Sequence, residues 1–339
     1  MATADFQAEK ALVRRYHEAL EGSVPHNVAE TLQRFVSPDW HWRGVHPFNT
    51  LMGAKAVAAT FWKPLLASLT GLQRRPDIFM AGVNAIDGGA SRWVVQTGHL
   101  MGLFDWPLLG IRPTGRIVML RFAEFNRIEG EHIAETLMFV DLLHLMAQAE
   151  QYPLTPQTGT QLVQPGPRTH AGLMYEAQDP ARGEATHAAI RAMLASPGRG
   201  FFNPDAATDL AQVWHDDMIW WGPTGIGATY TIERYLRQHS TPFDKAFYNH
   251  CESLGEVCTI AEGDFGGFAG YPSMRMHNAG GYMGMTGAAD PAEMRLVDIY
   301  RAQDDKLAEN WVFIDFLHFL AMQGLDVLER MDAVQSGGG

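Results

Sequence analysis

Apolar residues recur at three- and four-residue intervals in EKALVRRYHEAL and AETLQRFV near the start of the chain, and again in THAAIRAMLA and ATDLAQVW beyond its middle. That spacing predicts amphipathic helices. Behind each pair comes a short run, DWHWRGV or DMIWWGP, that reads as a strand with a turn. A third helix follows, KAVAATFWKPLLASL in one case and TIERYLRQH in the other. From there the period falls to two: SRWVVQTGHLMG, RIVMLRFAEFNRI and HIAETLMFVD alternate, predicting antiparallel strands joined by turns. Helices followed by a meander give an α+β class, with helices packed on one face of a curved sheet. A strongly bent sheet covered in this way leaves a conical cavity, a common small-molecule site.

The same order of features occurs twice because the chain is a tandem duplication. ETLMFVDLLHLM (135–146) aligns without gaps to ENWVFIDFLHFL (309–320), a shift of 174 residues, with Glu, Phe, Asp, Leu and His identical. The same shift carries Arg121 to Arg295, Glu124 to Asp298, Arg127 to Arg301, Gly53 to Gly227 and Phe61 to Tyr235. Between these anchors TGHLMG (97–102) pairs with AGGYMG (279–284), which leaves LFDWPLLGIRPTG as a longer loop in the first copy. The stretch QYPLTPQTGTQLVQPGPRTHAG, dense in Pro, Gln, Thr and Gly, suits an extended connector. The expected division is a first domain at 1–150, a connector at 151–180, a second domain at 181–332 and a flexible tail at 333–339.

Along the last strand of each copy, alternation puts Glu135, Leu137, Phe139 and Asp141 on one face, and Glu309, Trp311, Phe313 and Asp315 on the equivalent face. An Asp among such neighbours is partly desolvated, which suits general acid or base work, so Asp141 and Asp315 are the first catalytic candidates. The alternative stays open beside it: LLHLMAQ and FLHFLAMQ begin at once, so each Asp is also placed as a helix N-cap. His144 and His318 follow three residues later, close enough for an Asp to orient an imidazole, although a lone His on an apolar helix face is commonly a core residue. Candidate pocket residues are Trp42, His99, Trp220, His239, His277, Tyr282 and Trp311, with the tryptophans equally suited to the core. The second copy, with Trp220 and Trp311, is the slightly favoured site. Arg121, Arg295 and Arg301 are expected in structural ion pairs across strands.

Composition narrows the field. With 26 Lys plus Arg against 38 Asp plus Glu, the net charge of −12 offers no attraction to phosphate backbones or anionic lipid, so nucleic acid and membrane are not expected partners. No leader-like start and no run of ~20 apolar residues occurs, which points to a cytoplasmic protein. Cys251 and Cys258 are expected on one strand, as buried thiols rather than a disulfide. His41 and His46 lack any companion ligand pattern, so no metal is expected. There is no G-x-x-x-x-G-K-[ST], strand-associated G-x-G-x-x-G, G-x-S-x-G or H-E-x-x-H, and no cofactor is expected. A small-molecule ligand or substrate is the expected partner, and a homodimer stays open.

At these residues the chain resembles a known family. TGHLMG, PTG and RFAEFNRIEGEHIAE in the first copy, and GGYMG with MRLVDIYRAQDDKLAENWVFID in the second, are similar to the carboxy-terminal strands of SnoaL-like polyketide cyclases, and WWGPTGIGATYTIERYLRQHSTPF is similar to the middle of bacterial two-domain members. The resemblance implies two cone-shaped α+β barrels of the nuclear transport factor 2 superfamily, each with a ligand cavity. It further implies an Asp at the end of the last long strand acting as acid/base in an intramolecular aldol closure without metal or cofactor; Asp141 and Asp315 occupy that place. A His three residues on departs from the family pattern, where a small residue is commoner. Isomerases, dehydratases, hydrolases and non-catalytic binding domains share the fold, so the expected function is acid/base chemistry on a small to medium carbonyl compound or ester, with a ligand-binding tandem domain as the alternative.

Overall fold

Period-two alternation in the later part of each copy becomes one sheet per copy, and the chain folds as two α+β units. The computed structural model describes residues 5–160, 163–196, 203–247, 251–288 and 290–336. Unit 1 comprises residues 1–153, 168–177 and 326–339, and unit 2 comprises 154–167 and 178–325. The stretch between the copies is thus shared, one part with each unit, and the last helix of the chain belongs with the first copy.

In unit 1, α1 (Gln7–Glu21) and α2 (Val28–Gln33) precede β1 (Val36–Gly44) and β2 (Thr50–Met52). A helical run then passes from α3 (Gly53–Val57) through a π-helical turn (Ala58–Trp62) into α4 (Lys63–Ser68). β3 (Leu69–Val83), β4 (Arg92–Phe104), β5 (Ile117–Glu129) and β6 (His132–Val140) form the meander, and α5 (Leu142–Gln148) follows. The sheet order is β2-β1-β6-β5-β4-β3. One pair departs from the antiparallel expectation: β1 runs parallel to β6. A parallel neighbour needs a long crossover, and the helices and strands between β1 and β6 supply it.

Unit 2 repeats the plan with α6 (Pro180–Leu194), α7 (Ala206–Leu210), β7 (Trp214–Trp221), β8 (Thr229–Tyr230) and α8 (Thr231–Tyr235). A second π-helical turn (Leu236–Ser240) leads into α9 (Thr241–Phe247), so the third helix again carries a π segment. β9 (Cys251–Ser253), β10 (Cys258–Glu262), β11 (Phe265–Met276), β12 (Ala292–Gln303), β13 (Lys306–Ile314) and α10 (Phe316–Ala321) complete it. Its sheet order is β10-β11-β12-β13-β7-β8, with β9 on β11. The final helix, α11 (Val327–Ser336), counts with unit 1. The start of α6 shows how sequence sets such boundaries: Pro180 stands first, and the Asp179 carboxylate accepts the Ala181 N–H at 3.0 Å.

Cross-strand register decides which side chains share a face. From α1, His17 Nε2 meets Glu124 Oε2 on β5 at 3.0 Å, so the face carrying Glu124 is the one beneath the helices. Trp40, whose indole N–H donates to Thr136 Oγ1 at 3.0 Å, and Trp42, against Phe61 of the helical run, lie on that side. Alternation along β5 and β6 then turns Arg121, Ala123, Phe125, Leu137 and Phe139 to the opposite face, and His99, paired with Arg121, goes with them. Unit 2 obeys the same rule. Trp220 of β7 stacks on His239 of the helical run with centroids 4.1 Å apart, while its neighbour Trp221 pairs with Trp311 on the other face.

Two sequence expectations are corrected by register. Cys251 and Cys258 sit on separate strands, β9 and β10, because Gly255, at a left-handed φ of 90°, breaks the chain direction between them. Cys251 is exposed and only Cys258 is buried. The pairing of TGHLMG with AGGYMG also fails: TGHLMG lies on β4, whereas Tyr282–Gly284 is a 3₁₀ turn beyond the end of β11. The similarity is one of composition, and strand pairing gives a different equivalence that bears on the site below.

Of the arginines expected in structural ion pairs, Arg301 meets Glu309 at 2.5 Å with both side chains buried, and Arg295 meets Asp315 at 3.2 Å; Arg127 pairs with Glu135 at 3.2 Å as well. Between β3 and β4 the pairing steps from Pro76↔Gly98 to Ile78↔Thr97, which leaves Asp77 as an extra, bulged residue. Pro76 has no N–H to lose from the ladder there, and a Cβ on Gly98 would stand 2.1 Å from the Arg75 carbonyl oxygen. Gly98→Ala is therefore expected to lower the stability of unit 1 by roughly 1–3 kcal/mol, read as a lower urea midpoint, with β3 and β4 losing hydrogen-exchange protection first.

Candidate functional site

The strand-to-helix corner that the duplication marks is built alike in both units. Asp141 follows β6 and is the N-cap of α5: its Oδ1 accepts the His144 backbone N–H at 3.0 Å. Its own N–H donates to the Arg121 carbonyl oxygen at 3.0 Å, which extends the β5–β6 pairing by one residue and sets Asp141 on the Arg121 face. Asp315 repeats this before α10, accepting from the His318 N–H at 3.1 Å and taking Arg295 Nη1 on Oδ2 at 3.2 Å. Each Asp thus caps its helix and also faces an arginine, and by alternation both aspartates lie on the face turned away from α1 in unit 1 and from the helical run of unit 2.

Around Asp141, unit 1 gathers five further polar groups. Arg121 is buried and is held between the fields of Asp141 and Asp77, with burial pulling its guanidinium down to about 9. His99 on β4 lies with Nδ1 3.3 Å from Asp77 Oδ2. His144 on α5 is buried, and desolvation first, then Arg121 and His99, lower its imidazole from the ordinary value against the opposing pull of Asp141. Tyr152 stands within the field of Asp141, and burial together with that carboxylate pushes its phenol up to about 12. His99 Nε2, His144 Nδ1 and the Tyr152 hydroxyl are buried atoms with no hydrogen-bond partner among the described residues. Such groups are costly to leave unmet and mark places where a ligand can supply the missing bonds. A neutral imidazole, a protonated phenol and a guanidinium are together equipped to move a proton and to steady a developing oxyanion.

A second buried constellation of unit 1 lies on the helix-covered face. Glu124 Oε2 accepts from Arg74 Nη1 at 2.7 Å and meets His17 Nε2 at 3.0 Å, and Arg74 Nη1 also reaches Gln96 Oε1 at 3.0 Å. Arg74 and His17 hold the Glu124 carboxyl down to about 2 against the opposing effect of burial. Burial and Arg74 together lower His17, despite Glu124. Here the ionised groups face one another, while His17 Nδ1 and Arg74 Nη2 are buried atoms with no hydrogen-bond partner among the described residues.

The residues expected to line one pocket separate into several places. Trp42 packs on Phe61 beneath the helices of unit 1, and His99 lies on the opposite face of that sheet. Trp220 and His239 stack on the helix-covered face of unit 2, and Tyr282 packs on Phe247 at 4.9 Å. Trp311 points to the other face of that sheet, its indole N–H donating to the Pro165 carbonyl oxygen at 3.1 Å, and His277 follows the end of β11. Trp220 and Trp311, the ground for favouring the second copy, therefore do not line one pocket. His41 sits half-exposed 4.0 Å from Glu135.

Sequence reasoning missed Asp77, Arg121 and Tyr152 as members of the site. Asp77 sits in a bulge where alternation breaks, Arg121 carries the same charge pattern as a structural arginine, and Tyr152 falls in the stretch read as connector. The pairing of Pro76 with a bulge-tolerant Gly98 across the hairpin is the one local signal.

No protein-family profile matches the chain, and no curated protein matches it. Solved structures similar to it include a provisionally assigned SnoaL-like polyketide cyclase from Jannaschia sp. CCS1, 18% identical, matched over 43% of this chain and 94% of its own with a TM-score of 0.35. Another is IdmH, a provisionally assigned polyketide cyclase from Streptomyces antibioticus, 15% identical over 41% of this chain and 96% of its own, TM-score 0.34. A third is a nuclear transport factor 2-like protein from Burkholderia thailandensis E264, 19% identical over 42% and 95%, TM-score 0.31. Among the described residues no helix is long and apolar enough to cross a membrane, and no group of three or more His, Cys, Asp or Glu is arranged to hold a metal ion.

The buried histidines and Glu124 set the acid response of unit 1. His17 and His144 lie below their unfolded value of 6.5, so the unfolded chain binds protons first and stability falls as pH drops below about 6.5. Glu124, held at about 2 against 4.5 unfolded, contributes stability above 4.5 that is lost as pH falls from there toward 2. Urea midpoints measured from pH 8 to pH 3 are expected to show both windows, with His144→Gln shrinking the first, to which His17 still contributes, and leaving the second.

Proposed function

We propose that the chain is a cofactor-independent enzyme carrying out acid/base chemistry on a small to medium carbonyl compound, with the reacting site in unit 1. The supporting observation is the set of unpartnered buried atoms on His99, His144 and Tyr152 around the Asp141–Arg121 corner. Asp141, His144 and Tyr152 are its acid/base groups, and Arg121 steadies charge on the substrate oxygen. Aldol-type ring closure and isomerisation both need a proton removed beside a carbonyl and an enclosed site that holds the reacting atoms in attack geometry. The duplicate corner in unit 2, where Asp315 is bound to Arg295 and the Arg295 guanidinium lies 4.2 Å over the Tyr271 ring, fits a supporting role.

A second reading, a tandem ligand-binding protein without turnover, draws on the capping role of both aspartates. A thermal-shift screen of carbonyl compounds separates the two when hits are assayed for conversion, since any ligand bound only by the native state raises apparent stability. Asp141→Asn is expected to keep the helix cap, because Asn caps a helix as well as Asp, to lower the stability of unit 1 by about 3 kcal/mol because the buried Arg121 loses a facing charge, and to remove turnover of a converted hit. Turnover that survives Asp141→Asn removes Asp141 from the mechanism, and ligands that bind without ever being converted favour the binding reading.

A further inference from the structure

Pairing along the sheets gives each polar group of unit 1 its counterpart in unit 2. Gly98 pairs with Phe122, and Gly270 pairs with Leu296, the residue equivalent to Phe122 by the 174-residue shift. His99 therefore corresponds to Tyr271. One strand further, Ile78 pairs with Thr97 and Cys258 with Ala269, so the bulged Asp77 corresponds to Val257. Arg121, Asp141 and His144 recur as Arg295, Asp315 and His318, whereas a carboxylate and an imidazole have no counterpart.

Those two groups touch each other. Asp77 Oδ2 lies 3.3 Å from His99 Nδ1, and the His99 side chain is 5% exposed. A carboxylate on one ring nitrogen selects the Nδ1–H tautomer and leaves the lone pair on the other, and here that other atom, Nε2, is buried and unpartnered among the described residues. In unit 2 the same place holds an apolar side chain and a phenol whose ring carries the Arg295 guanidinium.

We propose that the Asp77–His99 pair is the proton-accepting element of the chain, with His99 Nε2 taking a proton from a carbon beside a carbonyl, and that unit 2 has kept the Asp–Arg corner without the base. The C–H bond breaks, its electron pair passes to the carbonyl oxygen as an enolate, and the proton forms an N–H bond on His99. Asp77, a positioning residue, faces the resulting imidazolium. The Asp141, His144 and Tyr152 group then handles the proton at oxygen. The substrate half rests on the acid/base reading above; the tautomer half does not.

Long-range ¹⁵N–¹H NMR of the full ¹⁵N-labelled chain at pH 7 tests it, with the His99 signals identified by their loss in His99→Gln. A protonated Nδ1 beside a bare Nε2 is expected, shifting toward the Nε2–H form in Asp77→Val, which copies unit 2, or in Asp77→Ala should the valine variant misfold. A wild-type His99 protonated at Nε2, or a pattern unchanged when Asp77 is removed, overturns the proposal. In parallel, ²H exchange at the α-carbon of acetophenone, 1-indanone and 1-tetralone is followed in D₂O. Exchange is expected with wild type, at least about 100-fold slower in His99→Gln and unchanged in Tyr271→Phe. Loss in Tyr271→Phe with retention in His99→Gln reverses the assignment of units. No exchange of any ketone, with the Nδ1–H tautomer in place, overturns the carbonyl substrate and leaves the dyad standing.

Discussion

Each unit turns on a carboxylate at the point where the last strand becomes a helix. Asp141 and Asp315 accept the N–H of the residue three positions on, one of the orphan donors that every helix start exposes, and each also faces an arginine from the neighbouring strand. One short side chain thereby fixes the end of the strand, the direction of the helix and the location of a buried cation. Removing either charge would strand the other in a poorly solvating interior, so the corner is kept as a unit.

From that corner the two copies diverge by what the adjacent strands supply. In unit 1, a one-residue bulge at Asp77, made possible by Pro76 and Gly98, carries a carboxylate to His99 and places a directed imidazole beside Arg121. In unit 2, Tyr271 takes up the arginine face and closes it. The same backbone plan thus carries a carboxylate-held imidazole beside the arginine in one copy and a phenol ring under the arginine in the other.

The opposite face of the unit 1 sheet shows the contrasting case. Arg74, His17, Gln96 and Glu124 form a buried network on the helix-covered side, built around the single Glu124 carboxylate. Its ion pairs hold α1 against the meander from within. Two charged clusters therefore lie on the two sides of one sheet, separated by alternation alone: Glu124 and Arg121 are three residues apart on β5 and face opposite ways.

The sequence alone determined the duplication, the α+β order of elements and the paired Asp and His of each corner. These rest on local periodicity and on a gapless repeat, both of which are properties of neighbouring residues. It also placed Asp141 as an N-cap, since a carboxylate before a helical run is a local signal. Only the tertiary structure decided which side chains stand around each aspartate. That depends on register between strands, where a bulge of one residue moves Asp77 next to His99 and makes Tyr271, rather than Gly281, the counterpart of that imidazole. It depends equally on faces, which sent Trp220 and Trp311 to opposite sides of their sheet. The contacts that build the corner join Asp77 to His99 and Arg121 to Asp141 across neighbouring strands, and no pattern within a single strand records the offset at which they meet.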